Sequence, residues 1–87
     1  HILRVSTAPH ARRRGLAEKL LRGAIVRAIQ AQGERALLEV ASLNLGAVAL
    51  YEKLGFRVVG RRKRYYRAPV DDALAMTLAL EEYQGAT

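Results

Sequence analysis

The chain has 87 residues, 51% of them hydrophobic, which is enough for one small globular domain and excludes a disordered chain. Fifteen Lys and Arg residues against eight Asp and Glu give a net charge of +7, so an anionic ligand or partner is expected. Cysteine is absent and the two histidines are isolated, so we expect no disulfide, no thiol nucleophile and no metal. Because the chain has no apolar run of about 18 residues, we expect a cytoplasmic protein with no membrane contact.

The first elements are a strand and a helix. Residues 2–7 are short and β-branched, which predicts a strand that Pro9 interrupts. Helical periodicity follows and predicts a helix over residues 15–32, with Gly33 as its left-handed C-terminal cap. Its apolar stripe consists of Leu16, Leu20, Leu21, Ala24, Ile25, Ala28 and Ile29.

The middle of the chain predicts a second strand and a second helix. Residues 36–41 form a nearly continuous apolar run, which indicates a strand covered on both faces. Asn44 is suited to cap the N-terminus of a helix over residues 45–54, and Gly55 is suited to end it.

The last third predicts a hairpin. A strand begins at residues 56–60, and residues 61–67 either continue it or lead into a turn. Residues 69–72 carry turn chemistry, residues 73–80 suit a last strand or a helix, and residues 81–87 form a tail. The order strand, helix, strand, helix, strand, strand predicts an α/β fold. Its mixed sheet would have parallel pairing in the strand–helix–strand units and antiparallel pairing in the hairpin.

A basic segment precedes the first helix. Arg12, Arg13 and Arg14 are followed by Gly15 and Ala17, whose small size would let a ligand approach the backbone. The amides at a helix N-terminus favour a phosphate group, and the arginines add positive potential. The same pattern also fits a solvated basic helix start, and it matches neither a P-loop nor the three-glycine dinucleotide motif.

Two further residues carry possible chemistry. Glu39 interrupts an apolar strand, and burial would raise the pKa of its carboxyl toward the range of a general base. An exposed or arginine-paired carboxylate would explain it equally. Tyr51 lies on the second helix, where a tyrosine commonly fills the core.

Taken together, these motifs resemble the GNAT superfamily of acetyl-CoA-dependent N-acetyltransferases. The first motif is Arg12-Arg13-x-Gly15-x-Ala17, and the second is Asn44-x-x-Ala47-x-x-Leu50-Tyr51-x-x-x-Gly55-Phe56. The chain is most similar to the RimI-like branch, which modifies the N-terminus of a ribosomal protein. The residues that carry this likeness are Leu38-Glu39-Val40, Tyr65-Tyr66, and Asp71-Asp72-Ala73 with Met76.

The resemblance implies a role for each site residue. Glu39 would be the general base and Tyr51 the general acid of a direct acetyl transfer to a protein α-amino group. Tyr65 and Tyr66 would line the groove for the acceptor peptide. The implied acetyl-CoA-binding residues are Val5, Ser6, Thr7, Arg13, Arg14, Gly15, Leu16, Ala17, Glu18 and Asn44.

We also expect residues 1–87 to be a single domain that corresponds to the C-terminal, cofactor-binding portion of the GNAT fold, with the N-terminal strands and helices absent. The exposed edge of the first strand would then favour a dimer. Three alternatives stay open: a GNAT enzyme for a small amine or a lysine side chain, an inactive fragment, and a basic nucleic-acid-binding module. The last would use the arginine runs beside Tyr65 and Tyr66.

Overall fold

The computed structural model describes residues 2–5, 14–67 and 69–83. Its elements are β1 (Ile2–Val5), α1 (Arg14–Gln30), β2 (Arg35–Ala41), α2 (Leu45–Lys53), β3 (Arg57–Arg67), β4 (Val70–Ala79) and a short 3-10 helix (Leu80–Glu82). The predicted α/β class and element order are confirmed, and β3 continues through residues 61–67. Within the described ranges, neither α1 nor α2 has the length and apolarity needed to cross a membrane.

The four strands form one mixed sheet in the order β1-β2-β4-β3. β1 and β2 are parallel, as a strand–helix–strand unit requires, while β4 is antiparallel to both of its neighbours, β2 and β3. β2 and β3, the two strands joined by α2, are not paired with each other because β4 lies between them. The predicted parallel pairing is therefore wrong for this second strand–helix–strand unit. This insertion is a property of the tertiary arrangement that the local sequence pattern did not predict.

The core lies on one face of the sheet, between the strands and both helices. Residues alternate along β2, and Leu38 and Val40 are buried whereas Leu37 and Glu39 are only half-buried. The expectation that β2 is covered on both faces is therefore wrong for the described residues. The buried apolar cluster consists of Leu21, Ile25, Ala36, Leu38, Val40, Ala47, Tyr51, Leu54, Phe56, Leu74, Met76, Leu78, Leu80 and Tyr83.

The end of α1 differs from the predicted cap. Gln32, not Gly33, has the left-handed backbone conformation, with φ of 62°. The Gly33 amide donates to the Ala28 carbonyl at 2.7 Å and the Gln32 amide to the Ile29 carbonyl at 2.9 Å, which is the hydrogen-bond pattern of a Schellman motif. Gly33 is needed for space instead, since a Cβ there would lie 2.9 Å from the Ala28 carbonyl oxygen and 3.1 Å from Leu80 Cδ1.

Both predicted ends of α2 are confirmed. The Asn44 side chain accepts a hydrogen bond from the Ala47 amide at 3.2 Å, as an N-cap residue does. Gly55 follows the helix with φ of +104°, a conformation that a side chain would strain.

The C-terminal segment is more ordered than the sequence indicated. β4 begins at Val70, so Asp71 and Asp72 belong to a strand and not to the expected turn. Residues 73–79 form a strand rather than a helix because β2 and β3 pair with them on both sides, which overrides the helix propensity of Ala and Leu. Tyr83, placed in the predicted tail, is buried in the core.

Candidate active site

The described parallel pairing of β1 with β2 runs up to the residue before Glu39. Val5 is the last residue of β1 and pairs with Leu38, whereas β2 continues to Ala41. In the described part of the chain, residues 39–41 of β2 are thus paired with β4 on one side and with no strand on the other. The backbone of a strand edge can hold an extended ligand by hydrogen bonds.

The first turn of α1 presents an exposed helix N-terminus. Gly15, Leu16 and Ala17 are all exposed, although Leu16 and Leu20 were predicted to lie on the buried stripe. A Cβ built on Gly15 would have no described atom within 4 Å, so packing within the described residues does not require glycine there. Amides in a first helical turn lack intrahelical acceptors and favour an anion.

Glu39 lies on the face of the sheet opposite the helices. Its register partner is Ala75, and the carboxylate is half-exposed. Its Oε2 atom forms an ion pair with Nε of Arg62, at 3.0 Å. The side chain is therefore partly exposed, while Oε2 itself is buried and paired with a cation from β3, and an arginine-paired carboxylate is one of the alternatives that the sequence left open.

Tyr51 lies on the other side of the sheet. It is buried among the core residues, and its ring packs edge-on against Phe56 with centroids 5.9 Å apart and an interplanar angle of 62°. Burial raises the pKa of the phenol, so the hydroxyl is fully protonated at neutral pH. This protonation state suits a general acid, and the position equally suits a core tyrosine.

Glu39 and Tyr51 are therefore separated by the plane of the sheet. Glu39 points away from the face to which Leu38 and Val40 contribute, and Tyr51 packs with those two residues. The catalytic roles of both residues remain predictions.

Two predicted cofactor residues have structural partners in the protein. Asn44 uses its side-chain oxygen to cap α2. Glu18 binds Nε of Arg22 at 3.0 Å and Nζ of Lys53 at 3.2 Å, so it joins α1 to the end of α2. Hydrogen bonds from Arg22 and then Lys53 lower the pKa of Glu18. Its carboxylate is thus an anionic link between helices, which is unfavourable for direct contact with a phosphate.

Tyr65 and Tyr66 lie near the end of β3. Their rings meet edge to face, with centroids 5.2 Å apart and an interplanar angle of 85°. Tyr65 is exposed and Tyr66 is half-buried. Burial raises the pKa of Tyr66, and the negative charge of Glu39 raises it further. The predicted base and the predicted acceptor groove are therefore on the same side of the sheet.

Some predicted site residues cannot be placed. Ser6, Thr7 and Arg13 lie outside the described residues, as does Arg12, and for Val5 and Arg14 the backbone alone is described. In contrast, the structure reveals two contacts whose partners the sequence did not specify. One is the ion pair of Arg62 with Glu39, and the other is the hydrogen bond from Ser42 to Asp71 at 2.6 Å. The only signals were a basic run around Arg62 and the Asp71-Asp72-Ala73 motif, neither of which specifies a partner.

Comparisons with known proteins identify the family of the chain. The profile of the acetyltransferase (GNAT) family matches residues 1–56. The ribosomal protein bS18-alanine N-acetyltransferase of Salmonella typhimurium is 34% identical over 82 residues, which is 91% of this chain and 55% of that protein. The N-alpha-acetyltransferase RimI of Mycobacterium tuberculosis is 43% identical over 63 residues, which is 72% of this chain and 38% of that protein.

A solved structure gives the same result for the fold. The ribosomal-protein-S18-alanine N-acetyltransferase from Escherichia coli superposes with a TM-score of 0.75 at 34% identity, over 86% of this chain and 50% of that one. The chain spans about half the length, or less, of the relatives that it matches.

Proposed function

Because the chain belongs to the acetyltransferase (GNAT) family, we propose that the full-length protein transfers an acetyl group from acetyl-CoA to the α-amino group of a protein N-terminus. The named relatives act on α-amino groups, and two of them on a ribosomal protein, so a ribosomal protein is the proposed acceptor. The structural observation that carries the proposal is the exposed first turn of α1, whose backbone amides can bind a diphosphate.

The residues at hand fit acetyl-CoA. The exposed first turn of α1 offers backbone amides for the diphosphate, and the open space at Gly15 allows that group to approach the backbone closely. β1 is the outer strand on its side of the described sheet, so its backbone can hold the extended pantetheine arm by strand-like hydrogen bonds. Asn44 keeps the NH₂ group of its side chain as a donor, because the cap uses only its oxygen.

In the proposed reaction acetyl-CoA supplies an activated acyl group. Glu39, directly or through water, takes the proton of the acceptor's ammonium, whose pKa is near 8, and so supplies a neutral amine. The amine nitrogen forms a bond to the acetyl carbon as the carbon–sulfur bond breaks, and the nitrogen releases one of its two remaining protons to solvent. Tyr51, protonated because burial raises its pKa, gives its proton to the departing thiolate. These 87 residues contain no cysteine that could carry the acetyl group, which supports direct transfer.

Acetyl transfer by the full-length protein tests this proposal. The acceptors are a peptide with a free α-amine, the same peptide with that amine blocked but a lysine present, and spermidine as a small amine. Mass spectrometry should find the acetyl group on the free α-amine. Acetylation of lysine or spermidine alone would replace the proposed acceptor, and an oligonucleotide bound in place of acetyl-CoA in calorimetry would favour the nucleic-acid-binding alternative.

A further inference from the structure

Arg62 reaches Glu39 across an intervening strand. Its Nε lies 3.0 Å from Glu39 Oε2, although Glu39 is on β2 and Arg62 is on β3, with β4 between them. An ion pair between non-neighbouring strands requires a long side chain that lies flat on the sheet. It also requires nothing bulky on the strand that it crosses.

The residues beneath this contact are small. The register partner of Arg62 on β4 is Ala73, and that of Glu39 is Ala75. Gly60 faces Ala75 from the other side, and a Cβ built on Gly60 would lie only 3.7 Å from the Ala75 Cβ. These three positions form a shallow alanine–glycine trough, and it gives the Arg62 side chain room to cross β4.

An irregularity in β3 allows a second contact of Arg62, with the ring of Tyr65. In a regular strand, residues three apart point to opposite faces, so Arg62 and Tyr65 would not meet. The register of β3 shifts between Arg62 and Tyr66, and Arg64 has φ of 50°. As a result, the Arg62 guanidinium carbon lies 5.4 Å from the centre of the Tyr65 ring, within the range of a cation–π contact.

We propose that Arg62 is a positioning residue for Glu39, which it holds beside Tyr65 and Tyr66, where the acceptor's N-terminus is proposed to bind. This inference rests on the proposed function of Glu39 as the base. Arg62→Gln would remove one of the contacts that orient the Glu39 carboxylate. Misplacement of a catalytic group by about 1 Å can slow a reaction by up to about 100-fold.

A structural role for the ion pair would have a different signature. Arg62 is 63% exposed and Glu39 is 36% exposed, and ion pairs of such exposure contribute little to stability. Loss of Arg62 should therefore change turnover and leave the melting temperature nearly unchanged. Arg57 on the same strand is also exposed and serves as the matched control.

The first measurement uses the full-length enzyme with the variants Arg62→Gln, Arg62→Lys and Arg57→Ala. We expect Arg62→Gln to lower kcat by roughly 10-fold or more with less than about a twofold change in KM for the peptide, and Arg57→Ala to have no effect. Arg62→Lys keeps the charge and should restore part of the loss. An unchanged kcat, or a loss confined to KM, would overturn the proposal.

The second measurement is a double-mutant cycle with Glu39→Gln, made near pH 7, where the acceptor amine is protonated and the base is needed, with enough enzyme to measure the residual rate of the variant. If Arg62 acts through Glu39, Arg62→Gln should have almost no further effect in the Glu39→Gln background. An equal loss in both backgrounds would show that Arg62 acts independently and would sink this inference alone. A Glu39→Gln variant with wild-type activity at every pH would instead contradict the proposed base.

Discussion

The Asp71 carboxylate accepts a hydrogen bond from the Ser42 hydroxyl at 2.6 Å, and this bond joins the start of β4 to the loop between β2 and α2. The same carboxylate accepts the Leu43 amide at 3.0 Å and the Asp72 amide at 2.7 Å. The Ser42 amide in turn donates to the Asp72 carbonyl. Two residues that were expected in a turn therefore fix the loop that places Asn44 at the start of α2.

Replacement of Asp71 should loosen this loop. In Asp71→Ala the Ser42 hydroxyl and the Leu43 amide lose their acceptor, so we expect a lower melting temperature and faster amide exchange in the first turn of α2. Differential scanning calorimetry and hydrogen exchange measure both. Glu52→Gln removes an exposed acid of α2 and should change neither value. Wild-type exchange in Asp71→Ala would show that the loop is held by other contacts.

The lowered pKa of Asp71 predicts that the folded protein loses stability at acidic pH. The Ser42 hydrogen bond, followed by the two amide bonds, lowers the pKa of Asp71 below 3.8 in the folded protein. As the pH falls below that value the unfolded chain binds a proton first, so the free energy of unfolding decreases with falling pH. Ser42→Ala removes the principal cause of the shift and should weaken this dependence. Denaturant titrations between pH 5 and about 2.5 compare the two slopes; identical slopes would contradict this role of Ser42.

Substitution of two glycines should affect different properties, acetyl-CoA binding at Gly15 and stability at Gly33. Gly15→Val adds a side chain where no described atom lies within 4 Å, so it should weaken acetyl-CoA binding without lowering the melting temperature. Gly33→Val meets the Ala28 carbonyl and Leu80 and should destabilise the protein. Calorimetric titration with acetyl-CoA and thermal denaturation separate the two effects. Unimpaired acetyl-CoA binding by Gly15→Val would remove this helix start from the proposed site.

Tyr51→Phe should remove the proposed acid and leave the packing intact. The ring contact with Phe56 is kept, so we expect a similar melting temperature and similar acetyl-CoA affinity, with kcat lowered by roughly 100-fold. Tyr83→Phe is the matched control, because its hydroxyl accepts only a peripheral hydrogen bond from Arg22 at 3.1 Å. If both variants have the kcat of the wild type, Tyr51 is a core residue and does not act as the general acid.

Glu39→Gln should lose activity in a pH-dependent way. Below about pH 8 most of the acceptor amine is protonated, and the amide cannot take that proton. The ratio of variant to wild-type kcat/KM should therefore be lowest at acidic pH and rise toward pH 9. A ratio that is constant across this range would indicate that Glu39 does not act as the base.

Local sequence signals predicted most of the elements but not their partners. The periodicity around Ile25 and the capping preference of Asn44 determine helices through neighbours a few residues away, and both predictions were confirmed. The position of β4 between β2 and β3 depends on pairing between distant segments. The contact of Arg62 with Glu39 depends in addition on the register shift of β3 between Val58 and Gly60 and on two alanines of β4, so the sequence left an arginine partner open but did not specify Arg62.

The outer position of β3 has a consequence for the behaviour of the protein at high concentration. An outermost strand carries backbone groups to which a strand of another molecule can attach. On β3 this edge carries a dense row of cations, at residues 57, 61, 62, 63, 64 and 67, which repel an identical edge. This side of the sheet is therefore protected against fibril growth at low ionic strength, and added salt should weaken that protection.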